Sequence, residues 1–203
     1  MKIICIGRNY SEHAKELNNE IPDKPVLFMK PQTALLRDNK PFYHPEWSQD
    51  IHYEAELVLR VCKQGKYIEE QFAHKYYDQI GVGIDFTARD LQNEQKKKGL
   101  PWEIAKAFDG SAVVNLLTPN LFPKERGAIS FSLNLNGKEV QRGNSRDMLF
   151  SFEQIIAYAS QFFTLQVGDL IFTGTPAGVG AVKVGDVLEG FLGTKSMFKI
   201  NVK

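Results

Sequence analysis

The chain has 203 residues, of which 25 are basic, 24 are acidic and two are cysteines. The near-zero net charge disfavours nucleic acid or an anionic membrane as a partner, and two cysteines on apolar runs suggest small core side chains in a reducing compartment. The sequence has neither a stretch of about 20 apolar residues nor a signal peptide. We therefore expect one cytoplasmic domain over residues 1–203, with no membrane contact.

Strand patterns outnumber helix patterns along the chain. Apolar and β-branched runs predict eight strands, at residues 2–6, 26–29, 55–61, 80–85, 130–136, 170–173, 187–191 and 197–202. Three helices are predicted, at residues 11–18, 88–98 and 152–163, the last with Ser151 as its N-cap. The pattern predicts a β-rich α+β fold.

Turn motifs separate several of these elements. Asn136-Gly137 is typical of a two-residue β-hairpin turn. Val167-Gly-Asp169 and Val184-Gly-Asp186 each precede an apolar run, which indicates that one kind of turn is used twice. Lys96-Lys97-Lys98 ends the second predicted helix just before Gly99, and because cations suit the C-terminal end of the helix dipole, we interpret it as a solvated helix end.

Three acidic side chains indicate a metal site. Glu54 and Glu56 are two residues apart at the start of a predicted strand, so both point to one face of it. Asp85 ends the next predicted strand. Three carboxylates with no cluster of histidine and cysteine suit Mg²⁺ or Mn²⁺ better than Zn²⁺. The alternative is a solvated strand face for the glutamates and a turn-capping role for Asp85.

Six short motifs follow one another from the first predicted strand to near the C-terminus. They are Gly7-Arg-Asn-Tyr-x-x-His13, Pro25-Val-Leu-Phe-Met-Lys-Pro31, Glu54-x-Glu-Leu57, Asp85-x-Thr-Ala-Arg-Asp90, Lys96-Lys-Lys-Gly-Leu-Pro-Trp102 and Gly174-Thr-Pro-x-Gly-Val-Gly180. In this order they resemble the fumarylacetoacetate hydrolase superfamily, and more narrowly its small acylpyruvase and oxaloacetate decarboxylase branch. The resemblance covers essentially the whole chain. It implies the mixed-sheet β-roll of that family's catalytic domain, and a homodimer.

The resemblance also implies roles for individual side chains. His13 and Glu16, three residues apart on a predicted helix, fall on the positions of the family's water-activating pair. Lys106 lies between apolar residues and would share the negative charge of a substrate enolate. Its alternative is a simple ion pair with Asp109 or Glu103.

Three further residues are candidates for substrate binding. Arg89 and Gln92 follow Asp85 and could line the same pocket, although a position on the helix surface is nearly as compatible with the sequence. Thr175, in the glycine-rich turn, could hold a substrate carboxylate, although an ordinary turn also explains this segment.

Together these residues imply an Mg²⁺- or Mn²⁺-dependent enzyme for small 2-oxo acids. The first expectation is hydrolysis of the C–C bond of acylpyruvates, with oxaloacetate decarboxylase capacity, through a metal-bound pyruvate enolate. The alternative is an isomerase or tautomerase of dicarboxylic keto-enol acids, including oxaloacetate. A second alternative is a non-catalytic metabolite-binding protein. The His13–Glu16 pair favours hydrolysis, because isomerisation needs no activated water.

Overall fold

A mixed β-sheet forms the centre of the structure, a computed structural model that describes residues 1–16, 20–115, 117–119 and 128–203. The described strands are β1 (Ile3–Ile6), β2 (Leu27–Lys30), β3 (Leu35–Leu36), β4 (Ile51–Tyr53), β5 (Ala55–Val61), β6 (Tyr77–Asp85), β7 (Thr87–Ala88), β8 (Ala112–Val113), β9 (Leu117–Pro119), β10 (Ser130–Leu135), β11 (Lys138–Asn144), β12 (Leu170–Phe172), β13 (Gly180–Ala181), β14 (Val187–Leu192) and β15 (Lys195–Asn201). The helices are α1 (Ser11–Glu16), α2 (Glu70–Ala73), α3 (Arg89–Lys98), α4 (Glu103–Lys106) and α5 (Phe152–Phe162), with two short 3-10 helices at Gln32–Ala34 and Ser145–Asp147.

Three sheets contain these strands. The largest runs in the order β2-β1-β12-β5-β6-β8-β3, and β9 also pairs with β6. Its β1–β12 and β3–β8 pairs are parallel and the others are antiparallel, so the sheet is mixed. The second sheet, β11-β10-β14-β15, and the third, β13-β4-β7, are antiparallel. The β-rich α+β prediction is confirmed.

All eight predicted strands are present, and their ends differ from the prediction by at most three residues. The three predicted helices are also present, although residues 17 and 18 of the first lie outside the described part of the chain. Ser151 caps α5 as predicted, because its hydroxyl accepts a hydrogen bond from the Gln154 amide. None of the helices among the described residues is long and apolar enough to cross a membrane.

The predicted turns have the expected geometry. Asn136 and Gly137 both have positive φ angles, 53° and 81°, as the two-residue hairpin between β10 and β11 requires. The two Val-Gly-Asp turns match each other in detail. In each, the aspartate side chain (Asp169 or Asp186) accepts a hydrogen bond from the backbone amide three residues earlier, and the glycine has a φ near 90°. One turn type is therefore used twice.

The two cysteines differ in environment. Cys5 is buried in β1, which confirms it as a core side chain, and both cysteines are free thiols. Cys62 follows the last residue of β5 and is only partly buried, so the prediction that it belongs to the core is wrong. The difference arises because β5 leaves the core at Val61, one residue before Cys62.

The pairing of β5 with β6 positions the acidic residues. The antiparallel register places Ala55 opposite Ile84 and Glu56 opposite Gly83, and the Asp85 amide donates to the Glu54 carbonyl over 2.9 Å. Glu54 and Asp85 are therefore cross-strand neighbours, and Glu56 lies on the same face as Glu54. The register brings all three carboxylates to one end of the pair.

Candidate active site

Three buried carboxylates meet where β5 begins and β6 ends. Glu54, Glu56 and Asp85 are each 5% exposed or less, and one oxygen from each lies within 4.8 Å of those from the other two. The structure thus brings together the three residues that the sequence predicts to form a metal site. Their burial excludes the alternative of a solvated strand face.

Lys106 joins the cluster from the last residue of α4. Its Nζ donates hydrogen bonds to Glu54 Oε2 over 2.7 Å and to Asp85 Oδ2 over 2.8 Å. The alternative pairing with Asp109 or Glu103 is therefore wrong. Lys106 is buried, and its charge is compensated by two of the three carboxylates.

Lys30 is a second buried lysine, and it was not among the residues predicted from the sequence to belong to the site. Its Nζ lies 2.7 Å from Asp85 Oδ1 in an ion pair, at an angle that does not make a good hydrogen bond. The same Nζ donates to the Ser111 carbonyl over 3.1 Å and to the carbonyl of Lys106. A lysine at the end of the apolar strand β2 was the available signal. Lys30 thus fixes both Asp85 and the backbone that carries Lys106.

Arg89 and Gln92 lie on the buried face of α3. Arg89 Nη2 contacts a carboxylate oxygen of Glu54, and Arg89 Nη1 donates to Gln92 Oε1 over 2.6 Å. Both side chains border a small pocket next to His13 and Lys106. The structure therefore brings both predicted substrate-binding residues to the carboxylate cluster, and the alternative position on the helix surface is excluded.

His13 and Glu16 form the expected contact. His13 Nδ1 lies 3.1 Å from Glu16 Oε2, and Glu16 Oε1 accepts a hydrogen bond from the Gly178 amide over 3.0 Å. His13 is buried and borders the pocket that Glu54 and Lys106 also line. With the Nδ1 hydrogen donated to Glu16, Nε2 retains the lone pair that can accept a proton.

Thr175 is occupied by contacts within the protein. Its hydroxyl donates to the Ala55 carbonyl over 2.8 Å and accepts from Gln141 Nε2 over 2.9 Å. Because its one hydrogen is already donated, it has none to offer a carboxylate. In this structure Thr175 links the glycine-rich turn that contains it to the start of β5. The adjacent Gly174 amide, by contrast, donates to Glu56 Oε2 over 2.7 Å and so supports the acidic cluster directly.

The charges of the cluster are unevenly compensated. Burial alone would raise the pKa of Glu54, but Lys106 and Arg89 hold that pKa well below its usual range. Burial and the nearby Asp85 and Glu54 carboxylates raise the pKa of Glu56 well above its usual range. In the described part of the chain, no lysine or arginine forms an ion pair with Glu56.

The donor set fits a hard divalent cation. All three donors are carboxylate oxygens, which are the ligands that Mg²⁺ and Mn²⁺ prefer. A cation beside Glu56 would offset the crowding of like charges that raises the pKa of this residue. The chemistry of the donors and the uncompensated charge of Glu56 therefore both indicate a site for Mg²⁺ or Mn²⁺.

Lys96 faces the pocket, so the prediction of a solvated helix end is wrong for this residue. Arg89, Gln92 and Lys96 are spaced by three and four residues, which places them on one face of α3. All three border the pocket, whereas Lys97 and Lys98 are exposed as predicted. Local helix rules could not identify Lys96, because they do not specify which face of a helix is covered by the rest of the fold.

Comparison with known proteins agrees with this geometry. The family described as fumarylacetoacetate (FAA) hydrolase C-terminal matches residues 2–196. The chain belongs to the fumarylacetoacetate hydrolase family. It is 42% identical over 200 residues to the mitochondrial oxaloacetate tautomerase FAHD1 of Rattus norvegicus, covering 98% of this chain and 90% of that protein. It is 40% identical over 189 residues to the mitochondrial oxaloacetate decarboxylase of Dictyostelium discoideum, covering 93% of this chain and 87% of that protein.

A solved structure from the same family has the same fold as this chain. The fumarylpyruvate hydrolase of Pseudomonas aeruginosa, in complex with Mn²⁺ and pyruvate, superimposes with a TM-score of 0.93 at 35% identity. The match covers 100% of this chain and 89% of the other. The β-roll expected from the sequence motifs is confirmed, and this chain is an enzyme of the fumarylacetoacetate hydrolase family.

Proposed function

We propose that this enzyme acts on oxaloacetate and related 2-oxo acids, and that its main reaction is the enol–keto tautomerisation of oxaloacetate. One observation carries the proposal: His13, Lys106 and Glu54 line a single pocket beside the carboxylate cluster. Hydrolysis of acylpyruvates was the first expectation from the sequence. The names of the relatives from Rattus norvegicus and Dictyostelium discoideum favour oxaloacetate, so we reverse that order.

Glu54, Glu56 and Asp85 would hold Mg²⁺ or Mn²⁺. When bound, such an ion would polarise the carboxylate and keto oxygens of a 2-oxo acid as a Lewis acid. Mn²⁺ is present in the fumarylpyruvate hydrolase structure, which supports an ion of this class here. Lys30 supports the arrangement by holding Asp85 in place.

Lys106 would stabilise the enolate form of the substrate. Its ammonium group is buried beside Glu54 and Asp85, which raise its pKa although burial opposes its charge. It therefore stays protonated, and its positive charge would stabilise a nearby enolate in a site of low dielectric, where such an electrostatic interaction is strongest. Arg89 and Gln92 would orient the same end of the substrate, since both reach the pocket from α3.

His13 would move the proton. In tautomerisation the enol oxygen at C2 loses a proton and C3 gains one, with no net change in oxidation state. Nε2 of His13 can accept and return that proton while Glu16 fixes the ring through Nδ1. The Gly178 amide in turn fixes Glu16, so the pair is positioned from both sides.

Hydrolysis of acylpyruvates is a second candidate, which the His13–Glu16 contact favours. His13 would take a proton from water, and the resulting hydroxide would add to the distal carbonyl carbon. The C–C bond would then break, with its electron pair passing to the pyruvate enolate that Lys106 stabilises, and His13 would return its proton to C3 of that enolate to give pyruvate. Oxaloacetate decarboxylation would form the same enolate without a water nucleophile.

Three reactions measured in parallel test the proposal. Ketonisation of enol-oxaloacetate, CO₂ release from oxaloacetate and cleavage of acetylpyruvate are followed with and without Mg²⁺ or Mn²⁺. We expect metal-dependent ketonisation to have the highest kcat/KM, and Lys106→Met to lower it. Acetylpyruvate cleavage as the fastest reaction would favour the second candidate. Absence of all three reactions, or full activity after chelation, would contradict both.

The homodimer and the cytoplasmic location stay predictions, the first to be checked by sedimentation.

A further inference from the structure

The small pocket next to the carboxylate cluster contains more cationic side chains than the proposed chemistry uses. Arg8, Arg89, Lys96 and Lys106 line it, but Glu54 is the only carboxylate among its lining residues in the described part of the chain. Glu54 is already paired with Arg89 and with Lys106. Arg8 and Lys96 form no ion pair with any described carboxylate, so two positive charges in this pocket have no counter-ion there.

Lys96 is held in place at the pocket. Its Nζ lies 5.6 Å from the centre of the Trp102 ring, close enough for a cation–π contact. The Trp102 ring in turn packs on Gly7, where an added Cβ would lie 3.3 Å from the ring. Trp102 thus keeps the ammonium group of Lys96 beside the Gly7–Arg8 segment. Burial, together with the charges of Arg89 and Arg8, lowers the pKa of Lys96 to about 8.

Arg8 approaches the pocket from the segment between β1 and α1. Its Nη1 makes one long contact, 3.4 Å to the Glu20 carbonyl, which is neutral. The guanidinium group therefore keeps most of its donors for a ligand. Two cations from different elements, one an arginine with a planar donor fork, are the arrangement that a carboxylate binds best.

We propose that Arg8 and Lys96 form a subsite for the distal carboxylate of a dicarboxylic 2-oxo acid. The inference rests on the proposed function, in which the other end of the substrate binds beside Glu54, Glu56 and Lys106. A dicarboxylate gives Arg8 and Lys96 the counter-ion that the described chain does not supply. The neutral acyl end of acetylpyruvate does not, so this subsite selects dicarboxylic substrates over neutral acylpyruvates.

A pair of unreactive ligands tests the subsite without relying on turnover. L-malate and L-lactate share a 2-hydroxy carboxylate, and only malate carries a second, distal carboxylate. Calorimetric titration of metal-loaded protein should show tighter binding of malate than of lactate. Lys96→Met should weaken the binding of malate about 10- to 100-fold, the loss typical of a hydrogen bond to a charged group. It should change the affinity for lactate by no more than about 2-fold. Lys97→Met, the exposed neighbour, is the matched control and should change neither ligand.

Kinetic measurements separate the subsite from the proposed function. Lys96→Met should lower kcat/KM for oxaloacetate by a similar factor and should lower kcat/KM for acetylpyruvate much less. Arg8→Gln provides a second variant should Lys96→Met fail to fold. One outcome would retain the subsite and overturn the proposed function. In it, the wild type binds malate more tightly than lactate and both variants lose this preference, but the wild type turns over neither oxaloacetate nor acetylpyruvate. Equal binding of malate and lactate by the wild type, or equal losses for both ligands in the variants, would overturn the subsite.

Discussion

Replacing Glu56 by glutamine should stabilise the metal-free protein while destroying its metal binding. Glu56 is buried within 4.8 Å of two other carboxylates, Glu54 and Asp85, and it accepts a hydrogen bond from Gly174 that an amide oxygen can also accept. Two unit charges 4.8 Å apart repel by about 3.5 kcal/mol at an effective dielectric constant of about 20.

The buried lysines offset part of that repulsion. We therefore expect Glu56→Gln to raise the free energy of unfolding by about 1–3 kcal/mol without metal, which corresponds to a Tm higher by about 2–12 °C. Metal at about 1,000 times its Kd stabilises the wild type by about 4.1 kcal/mol and should not stabilise the variant. The order of stability of the two proteins should reverse when metal is added.

Thermal denaturation at pH 7, on EDTA-treated protein and then with Mg²⁺ or Mn²⁺, measures both effects. Glu54→Gln is the matched control, because the same chemical change two residues away removes the partner of Lys106 and Arg89. It should destabilise the metal-free protein by about 3–5 kcal/mol, since it leaves the buried Arg89 without an ion pair and removes one of the two carboxylates that pair with Lys106. A metal-free Glu56→Gln protein less stable than the wild type, or stabilised equally by metal, would refute the reasoning.

The proton-transfer pair, the site lysine and one glycine of the sheet give further predictions. His13→Ala should lower turnover of oxaloacetate about 100-fold or more, as for loss of a general base, and Glu16→Gln should lower it less; wild-type kinetics in both would contradict the pair. Oxalate, a planar dianion shaped like the pyruvate enolate, should bind the metal-loaded protein more tightly than pyruvate. Lys106→Met should weaken the binding of oxalate. Equal affinities of the wild type for oxalate and pyruvate in calorimetry would argue against an enolate intermediate. Gly83→Ala should lower Tm through overpacking of about 1–3 kcal/mol, because the new Cβ would lie 2.6 Å from the Val113 carbonyl oxygen; an unchanged melting curve would contradict this.

Length and periodicity decided which parts of the fold the sequence could predict. β5 and β6 are seven and nine residues long and are largely apolar, so their composition alone identifies them. β3, β7, β8 and β13 have two residues each, which is too short for any period to appear. They exist because the chain passes beside a strand from elsewhere in the sequence, as when Leu35 of β3 pairs with Ala112 of β8, 77 residues later.

The candidate site shows the same division between local and distant information. The common face of Glu54 and Glu56 follows from a spacing of two, but their proximity to Asp85 depends on the register of β5 and β6. Lys30 was missed because its partner, Asp85, belongs to a different strand with which β2 does not pair. Lys96 was misread because a helix pattern identifies a face without identifying what covers it.

The charges of the site explain why metal and anion would depend on each other. Three buried cations, Lys30, Lys106 and Arg89, form ion pairs with Glu54 and Asp85, and among the described residues Glu56 is left as the one carboxylate of the cluster without an ion pair. A divalent cation adds two positive charges at low dielectric, where an excess of one sign is costly. A substrate with two negative charges restores the balance, and Arg8 and Lys96 add positive potential where its far end would lie. Because such coupling is reciprocal, each ligand must raise the affinity for the other by the same factor. A neutral acylpyruvate end would gain nothing from Arg8 and Lys96, so the proposed subsite would make this pocket favour a dicarboxylic 2-oxo acid.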